Sequence, residues 1–178
     1  MSPPLEMDTK INLARASVLL IESTTHAVDL LGQIVKGLGV REVFRCVTIE
    51  EAEKVIAGRQ VDLVVIEPNL REDDGFKFID RLRHSKEEPN CYVPIIMTSG
   101  PAYASAVGRT RDIGANFFVA KPITPHVLLE RILWIARDKR PFVVCEAYIG
   151  PERRFKFEGP PPRRPFSFRL YFFLMFLS

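Results

Sequence analysis

Between Ser17 and about Lys139, short apolar runs alternate with stretches whose apolar residues recur every three or four positions. The first run, Val18–Ile21, stops at Glu22. Ser23 or Thr24 can cap a following helix that carries Ala27, Leu31, Ile34, Val35 and Leu38 on one face, with Gly39 as its stop. A second strand is predicted at Glu42–Cys46. Thr48 and Glu51 form a capping box ahead of a helix whose inner stripe is Ala52, Val55 and Ile56. Val61–Ile66 is a nearly unbroken apolar, β-branched run, as expected of a strand buried on both faces. The scheme then repeats. Asp74 caps a helix with Phe76, Ile79 and Leu82 inward, Val93–Thr98 reads as strand four, Ala102–Ile113 as a helix closed by Gly114, and Phe117–Ala120 as a short fifth strand. Thr124-Pro125 starts a last helix, buried along Leu128, Leu129, Ile132, Leu133 and Ala136. Five strands alternating with five helices imply right-handed βαβ crossovers. The expected fold is a three-layer α/β domain, a doubly wound parallel sheet between two layers of helices.

In such a sheet, ligands sit at the carboxyl ends of the strands. Strand one ends in Glu22-Ser23, strand three in Glu67-Pro68-Asn69, strand four in Thr98-Ser99-Gly100 and strand five in Lys121-Pro122. A lone residue of this kind is usually a cap or a solvated end. Two carboxylates, a hydroxyl and an ammonium at equivalent topological positions point instead to a site, in use or inherited.

Composition narrows the field. With 47% hydrophobic residues the chain is ordinary for a globular protein, and wholesale disorder is excluded. The net charge of +3 is unevenly placed. Residues 1–150 carry 19 Lys+Arg against 20 Asp+Glu, whereas residues 151–178 carry six against two, with seven of the 13 Phe and five of the 14 Pro. The basic balance therefore belongs to a tail and is not a DNA-binding charge spread over the domain. No apolar run approaches the ~20 residues that cross a bilayer, and the polar start MSPPLEMDTK lacks a signal core. A cytoplasmic location is expected. Cys46, Cys91 and Cys145 are far apart, with no CxxC and no His at metal spacing, so each is expected as a small buried apolar residue. His26, His84 and His126 fall on three helices without a nucleophile partner and read as surface or packing residues. Gly32, Gly37 and Gly39 form no GxGxxG, so Rossmann-type nucleotide binding is unsupported.

The order of motifs resembles the CheY-like receiver domains of two-component response regulators, over roughly Ser17–Lys139. VLLIES is similar to the family's strand ending in a pair of acids. VDLVVIEPNLREDDGFKFIDRLR is similar to the segment with the phosphorylated Asp and a downstream Asp-Gly turn, here Asp74-Gly75. PIIMTSG places Ser99 at the Thr/Ser position, and GANFFVAKPIT places Phe118 at the switch aromatic and Lys121-Pro122 at the Lys-Pro pair. The resemblance implies a flavodoxin-like sheet of order 2-1-3-4-5. It also implies transfer of a phosphoryl group from a histidine kinase to an aspartate. Acids would hold Mg²⁺ through hard oxygen ligands, and the ion and the lysine would neutralise the transferred charge.

Two positions depart from that pattern. The acceptor position is Glu67, whose carboxylate lies one methylene further out. Misplacing a nucleophile by about an ångström costs on the order of 100-fold in rate. The acidic pair is reduced to Glu22 with Ser23. Glu67 is thus expected not to accept phosphate, and Mg²⁺ at Glu22, Glu67 and Asn69 is expected to bind weakly or not at all. No other cofactor is expected. Two readings of Glu67 stand side by side. Its longer carboxylate could reach Lys121 and Ser99 and imitate the phosphorylated arrangement, or it could be a relic ion pair that merely satisfies buried charge.

The sequence divides into a flexible segment 1–16, a receiver domain 17–139 and a tail 140–178. Gly150-Pro151 and Gly159-Pro160 read as turns. Each is followed by an arginine pair, Arg153-Arg154 and Arg163-Arg164, with Phe155 and Phe157 nearby. This composition resembles the arginine-rich extension of those CheY-like proteins that bind cyclic di-GMP. Leu170–Leu177 is apolar but too short to span a membrane. The leading expectation is a stand-alone, non-enzymatic receiver in phosphorelay signalling. It would act independently of phosphorylation by contacting a partner, or forming a symmetric dimer, through the face around Ala102–Ile113, Phe118 and His126–Ala136, the family's usual partner face, or through the tail. The alternatives are a Mg²⁺-using phosphoacceptor and a cyclic di-GMP-responsive protein.

Overall fold

Apolar runs become strands, and amphipathic stretches become the helices between them. The computed structural model describes residues 12–71, 74–85, 87–100, 107–138, 140–145 and 148–152. Strands β1 (Ser17–Ile21), β2 (Glu42–Cys46), β3 (Leu63–Ile66), β4 (Ile95–Ser99) and β5 (Phe117–Ala120) alternate with helices α1 (Thr25–Gly37), α2 (Ile49–Gly58), α3 (Gly75–His84), α4 (Val107–Asp112) and α5 (Pro125–Arg137). The strands form one parallel sheet of order β2-β1-β3-β4-β5. The order reverses next to β1, so the carboxyl ends of β1 and β3 flank the switch point.

Strand residues alternate between two cores. Val18, Leu20, Val65, Ile96 and Val119 pack with Val28, Leu31 and Val35 of α1 and Leu128, Ile132 and Ile135 of α5. Leu19, Ile21, Val64, Ile66, Ile95 and Met97 pack on the opposite face with Ala52 and Ile56 of α2 and Phe76, Phe78, Ile79 and Leu82 of α3. The caps are largely those the sequence predicts. Thr24, Thr48 and Thr124 accept from Ala27 N, Glu51 N and Val127 N at 3.2, 3.2 and 3.3 Å. Asp74 accepts from Phe76 N at 2.8 Å. The Glu51 carboxylate reaches back one residue further than in the usual capping box, to Val47 N at 2.8 Å. The helix expected at Ala102–Ile113 is described over Val107–Asp112, and residues 101–106 lie outside the described residues.

Both ends of the domain differ from expectation. The segment expected to be flexible ends in a single 3-10 turn, Leu13–Arg15, and Leu13 and Ala16 are buried in the α1–α5 core. At the other end, the expected tail begins with an antiparallel hairpin, β6 (Phe142–Cys145) paired with β7 (Tyr148–Pro151). The expected turn at Gly150-Pro151 is strand. Gly150 sits there because a Cβ would lie 2.6 Å from the Gly114 Cα. Proline is tolerated because a two-stranded ribbon consists only of edges. Cys46 and Cys91 are buried as expected, but Cys145 is exposed, since the hairpin's outer strand has little packed against it. All three histidines are at the surface.

The hairpin docks at the amino end of the sheet over a buried arginine. Arg83 of α3 is 2% exposed and donates to the Gly114 carbonyl from Nη2 at 3.0 Å and to the Cys91 carbonyl from Nη1 at 2.8 Å. Phe142 covers it, with the guanidinium 5.2 Å from the ring centroid, and the Tyr92 ring meets Phe142 edge-on at 5.4 Å. Burial pulls the Arg83 guanidinium down to about 9, which leaves it charged at neutral pH.

Candidate functional site

Two-residue alternation, carried past the ends of β1, β3 and β5 and through β4, decides which side chains meet. Glu22 keeps the side of Val18 and Leu20, Glu67 that of Val65, Thr98 that of Ile96, and Lys121 that of Val119. All four converge at the carboxyl edge on the α1–α5 side. Ser99 and Phe118 share the parity of Met97 and Ile95 and belong to the other face, where Phe118 packs half-buried against the α2–α3 core. Backbone bonds fix the frame. Glu22 N donates to the Cys46 carbonyl at 3.1 Å, Glu67 N to the Ile21 carbonyl at 2.9 Å and Lys121 N to the Ser99 carbonyl at 2.8 Å.

At the centre is one ammonium. Lys121 Nζ donates to Glu22 Oε2 at 2.6 Å and to Glu67 Oε2 at 2.9 Å. Thr98 Oγ1 donates to Glu22 Oε1 at 3.1 Å, and Ser23 Oγ donates to Glu67 Oε2 at 2.9 Å. Glu67 thus reaches Lys121, as its length suggests, but its hydroxyl partner is Ser23 and not Ser99. The Ser99 hydroxyl is wholly buried and makes no hydrogen bond among the described residues. The sequence places Thr98 beside Ser99 at the end of strand four, but the resemblance assigns the site hydroxyl to Ser99; alternation counted from Ile96 puts Thr98 on the carboxylate side. Asn69 is exposed, and its backbone bridges that of Asp74. There Gly75 closes the turn against the segment after β3, where a Cβ would meet the Pro68 Cα at 2.8 Å. Arg109 of α4 ties in the same turn, 3.6 Å from Asp74 and 4.0 Å above the Phe76 ring. A cleft of about 480 Å³ beside Ser23 is lined by Thr24, Thr25, His26, Val47, Thr48, Leu70 and Arg71. Arg153, Arg154, Arg163 and Arg164, on which the nucleotide expectation rests, lie outside the described residues, as does Leu170–Leu177.

The two carboxylates differ in their electrostatics. Burial pushes Glu22 above its ordinary range, outweighing the help of Lys121. Burial also works against the Glu67 anion, but the hydrogen bonds of Lys121 and of the neighbouring Glu22 carboxyl, the lysine's charge and, least, the Ser23 hydroxyl overcome it and hold Glu67 below that range. Burial pulls Lys121 down, and its two carboxylate partners more than restore it, so it lies above 10.5. The linkage signs follow. Glu67's contribution to stability is complete above 4.5 and is lost as pH falls through its lowered pKa. Lys121's is complete below 10.5 and is lost as pH rises through its raised pKa. Glu22 runs the other way, as a cost relieved when it takes a proton. Side-chain carboxyl ¹³C titration by NMR is expected to place the Glu22 midpoint above 4.5 and that of Glu67 below it. The reverse order would contradict this account of the charges.

Acids after β1 and β3, hydroxyls in the last two residues of β4 and a lysine after β5 of a doubly wound 2-1-3-4-5 sheet define the receiver class. The chain belongs to the response regulator receiver domain family, whose model matches residues 18–133, and so to two-component signalling. It is 24% identical to the transcriptional regulatory protein YvrH of Bacillus subtilis over 67% of this chain and 48% of that protein. It is 28% identical to the two-component response regulator PprB of Pseudomonas aeruginosa over 64% of this chain and 41% of that protein. The chain thus spans less than half the length of either relative. A response regulator structure from Chloroflexus aurantiacus superimposes with a TM-score of 0.59 at 28% identity, covering 66% of this chain and 95% of that one. The matched family segment ends at residue 133, before the β6–β7 hairpin begins. Among the described residues no helix is long and apolar enough to cross a membrane.

Proposed function

We propose that this receiver signals without accepting a phosphoryl group, as a cytoplasmic pseudo-receiver that acts through protein contacts. The observation that carries this reading is the Lys121 ammonium shared by Glu22 and Glu67, with Ser23 closing on Glu67. In this arrangement the acceptor-position carboxylate already bonds to two donors. An attacking nucleophile would have to give them up and correct an extra methylene as well. The donor set also suits Mg²⁺ poorly. A divalent ion needs several hard oxygens, whereas here Lys121 occupies both carboxylates and Ser23 stands in place of the second acid. The ammonium is itself the cation of the site, and the ion pairs hold β1, β3 and β5 in one arrangement. Output then falls to the surface formed by β5 and the helices beside it, with no enzymatic step of the chain's own.

One observation favours the phosphoacceptor reading. The buried Ser99 hydroxyl has no hydrogen-bond partner among the described residues, a state that costs about 1–3 kcal/mol and would be relieved by an acceptor oxygen. Acetyl phosphate with Mg²⁺ separates the two readings. By intact mass, the wild-type chain is expected to remain unmodified, whereas Ser23→Asp/Glu67→Asp is expected to gain a phosphoryl adduct. An adduct on the wild-type chain would establish the phosphoacceptor reading instead.

A further inference from the structure

We propose that the β5–α5 face binds an acidic protein segment through a ladder of stacked arginine and aromatic side chains. The proposal rests on the protein-contact reading above and names the chemistry of the partner. Phe117 of β5 and Trp134 of α5 meet edge-to-face with centroids 4.9 Å apart. The Arg131 guanidinium lies 5.4 Å from the Phe117 centroid, and that of Arg140 lies 4.7 Å from the Trp134 ring. Trp134 is 44% exposed, and among the described residues it is the one aromatic that stands with Leu30 and Val144 as a large exposed hydrophobic.

The cations of the ladder are not equivalent. Asp138 takes Arg140 in a fork, through Nε at 2.9 Å and Nη2 at 2.7 Å. Glu130, the acid next to Arg131 in the chain, lies 3.8 Å from His126 instead. Arg131 has no carboxylate partner among the described residues and is held by its aromatic neighbour. A guanidinium stacked on a ring is oriented in advance and keeps its planar N–H edge for a carboxylate. Beside it the half-exposed indole offers apolar surface, and Trp and Arg are among the residue types enriched at the hot spots of protein interfaces. The complementary occupant carries a carboxylate next to an apolar side chain.

Other occupants match less well. A symmetric second copy would set this arginine-rich face against itself, with the Asp138 carboxylate already held by Arg140. A nucleic acid backbone draws on a longer row of cations than this ladder presents.

Trp134 is the only tryptophan in the chain, so its fluorescence reports on the ladder directly. The test uses the full chain and a synthetic peptide of Glu and Asp around one Leu, its Gln/Asn counterpart and a single-stranded oligonucleotide. The expected result is a saturable change in Trp134 emission with the acidic peptide. Its affinity should fall at least tenfold in Arg131→Gln and weaken with added salt, and circular dichroism should show that variant folded. The proposal is overturned by the absence of a saturable change, by equal binding of the neutral peptide, by tighter binding of the oligonucleotide, or by unchanged affinity in the variant. Emission that depends on protein concentration alone would assign the face to a second copy and also overturn it. Arg131 and Trp134 make no contact with the Glu22–Lys121–Glu67 group, so any of these failures leaves the acetyl phosphate result to stand or fall separately.

Discussion

Replacing Lys121 by Met is expected to lower the stability of the domain by about 3 kcal/mol at pH 7, read from urea unfolding. The substitution removes the one cation between Glu22, which is 1% exposed, and Glu67, and leaves two carboxylates facing each other. Two further results follow if that is the cause. The loss shrinks as pH falls from 7 towards 5, because burial already raises the Glu22 pKa and a proton there removes the repulsion. Adding Glu22→Gln to Lys121→Met recovers much of the lost stability, since the amide needs no cation and can still accept from Thr98. Equal losses at both pH values, or strictly additive single effects, would mean that Lys121 acts through packing of its stem alone.

The second large effect is expected at the opposite end of the sheet. Arg83→Met leaves the carbonyls of Gly114 and Cys91 buried without a donor and removes the cation beneath Phe142. The loss is about 3 kcal/mol, at about 1–3 kcal/mol for each orphaned group. Gly114→Ala attacks the same contact from the backbone. Gly114 has φ +83°, and a Cβ there would collide with the Ile149 carbonyl. Both variants are expected to release the hairpin, seen as loss of amide protection in Phe142–Cys145 and Tyr148–Pro151, while β1 and β3 stay protected. Amide protection that persists in the hairpin of both variants would show that Arg83 is not what holds it.

The sheet and its helices were legible because burial on one or both faces imposes periods of two and 3.6 residues that composition cannot hide. The site's location was legible for a related reason, since topology alone collects the residues at the carboxyl ends of β1, β3, β4 and β5 at one edge. The pairing within the site was harder to read. Whether Thr98 or Ser99 bonds to a carboxylate depends on which face each occupies. The expected strand four begins two residues before β4 and ends at Thr98, which hides the alternation that separates Thr98 from Ser99. Ser23 read as a lost acid, and only the geometry gives it a bond of its own to Glu67. The hairpin was missed because its strands are only four residues long and the second ends in a Gly-Pro pair, which has a turn's composition. Nothing in the sequence singles out Arg83 in the last turn of its helix, because the groups that bury it are distant in sequence: Cys91, Gly114 and Phe142.

The central claim is that Lys121 already fills the site and holds it in a single arrangement. A ¹H–¹⁵N NMR comparison of the intact chain with and without Mg²⁺ and acetyl phosphate tests it most directly. The account predicts that the amide signals of Glu22, Glu67, Ser99, Phe118 and Lys121 keep their positions. A concerted shift of those five signals, extending into α4, would show a site that still takes the ion and the phosphoryl group and would contradict it.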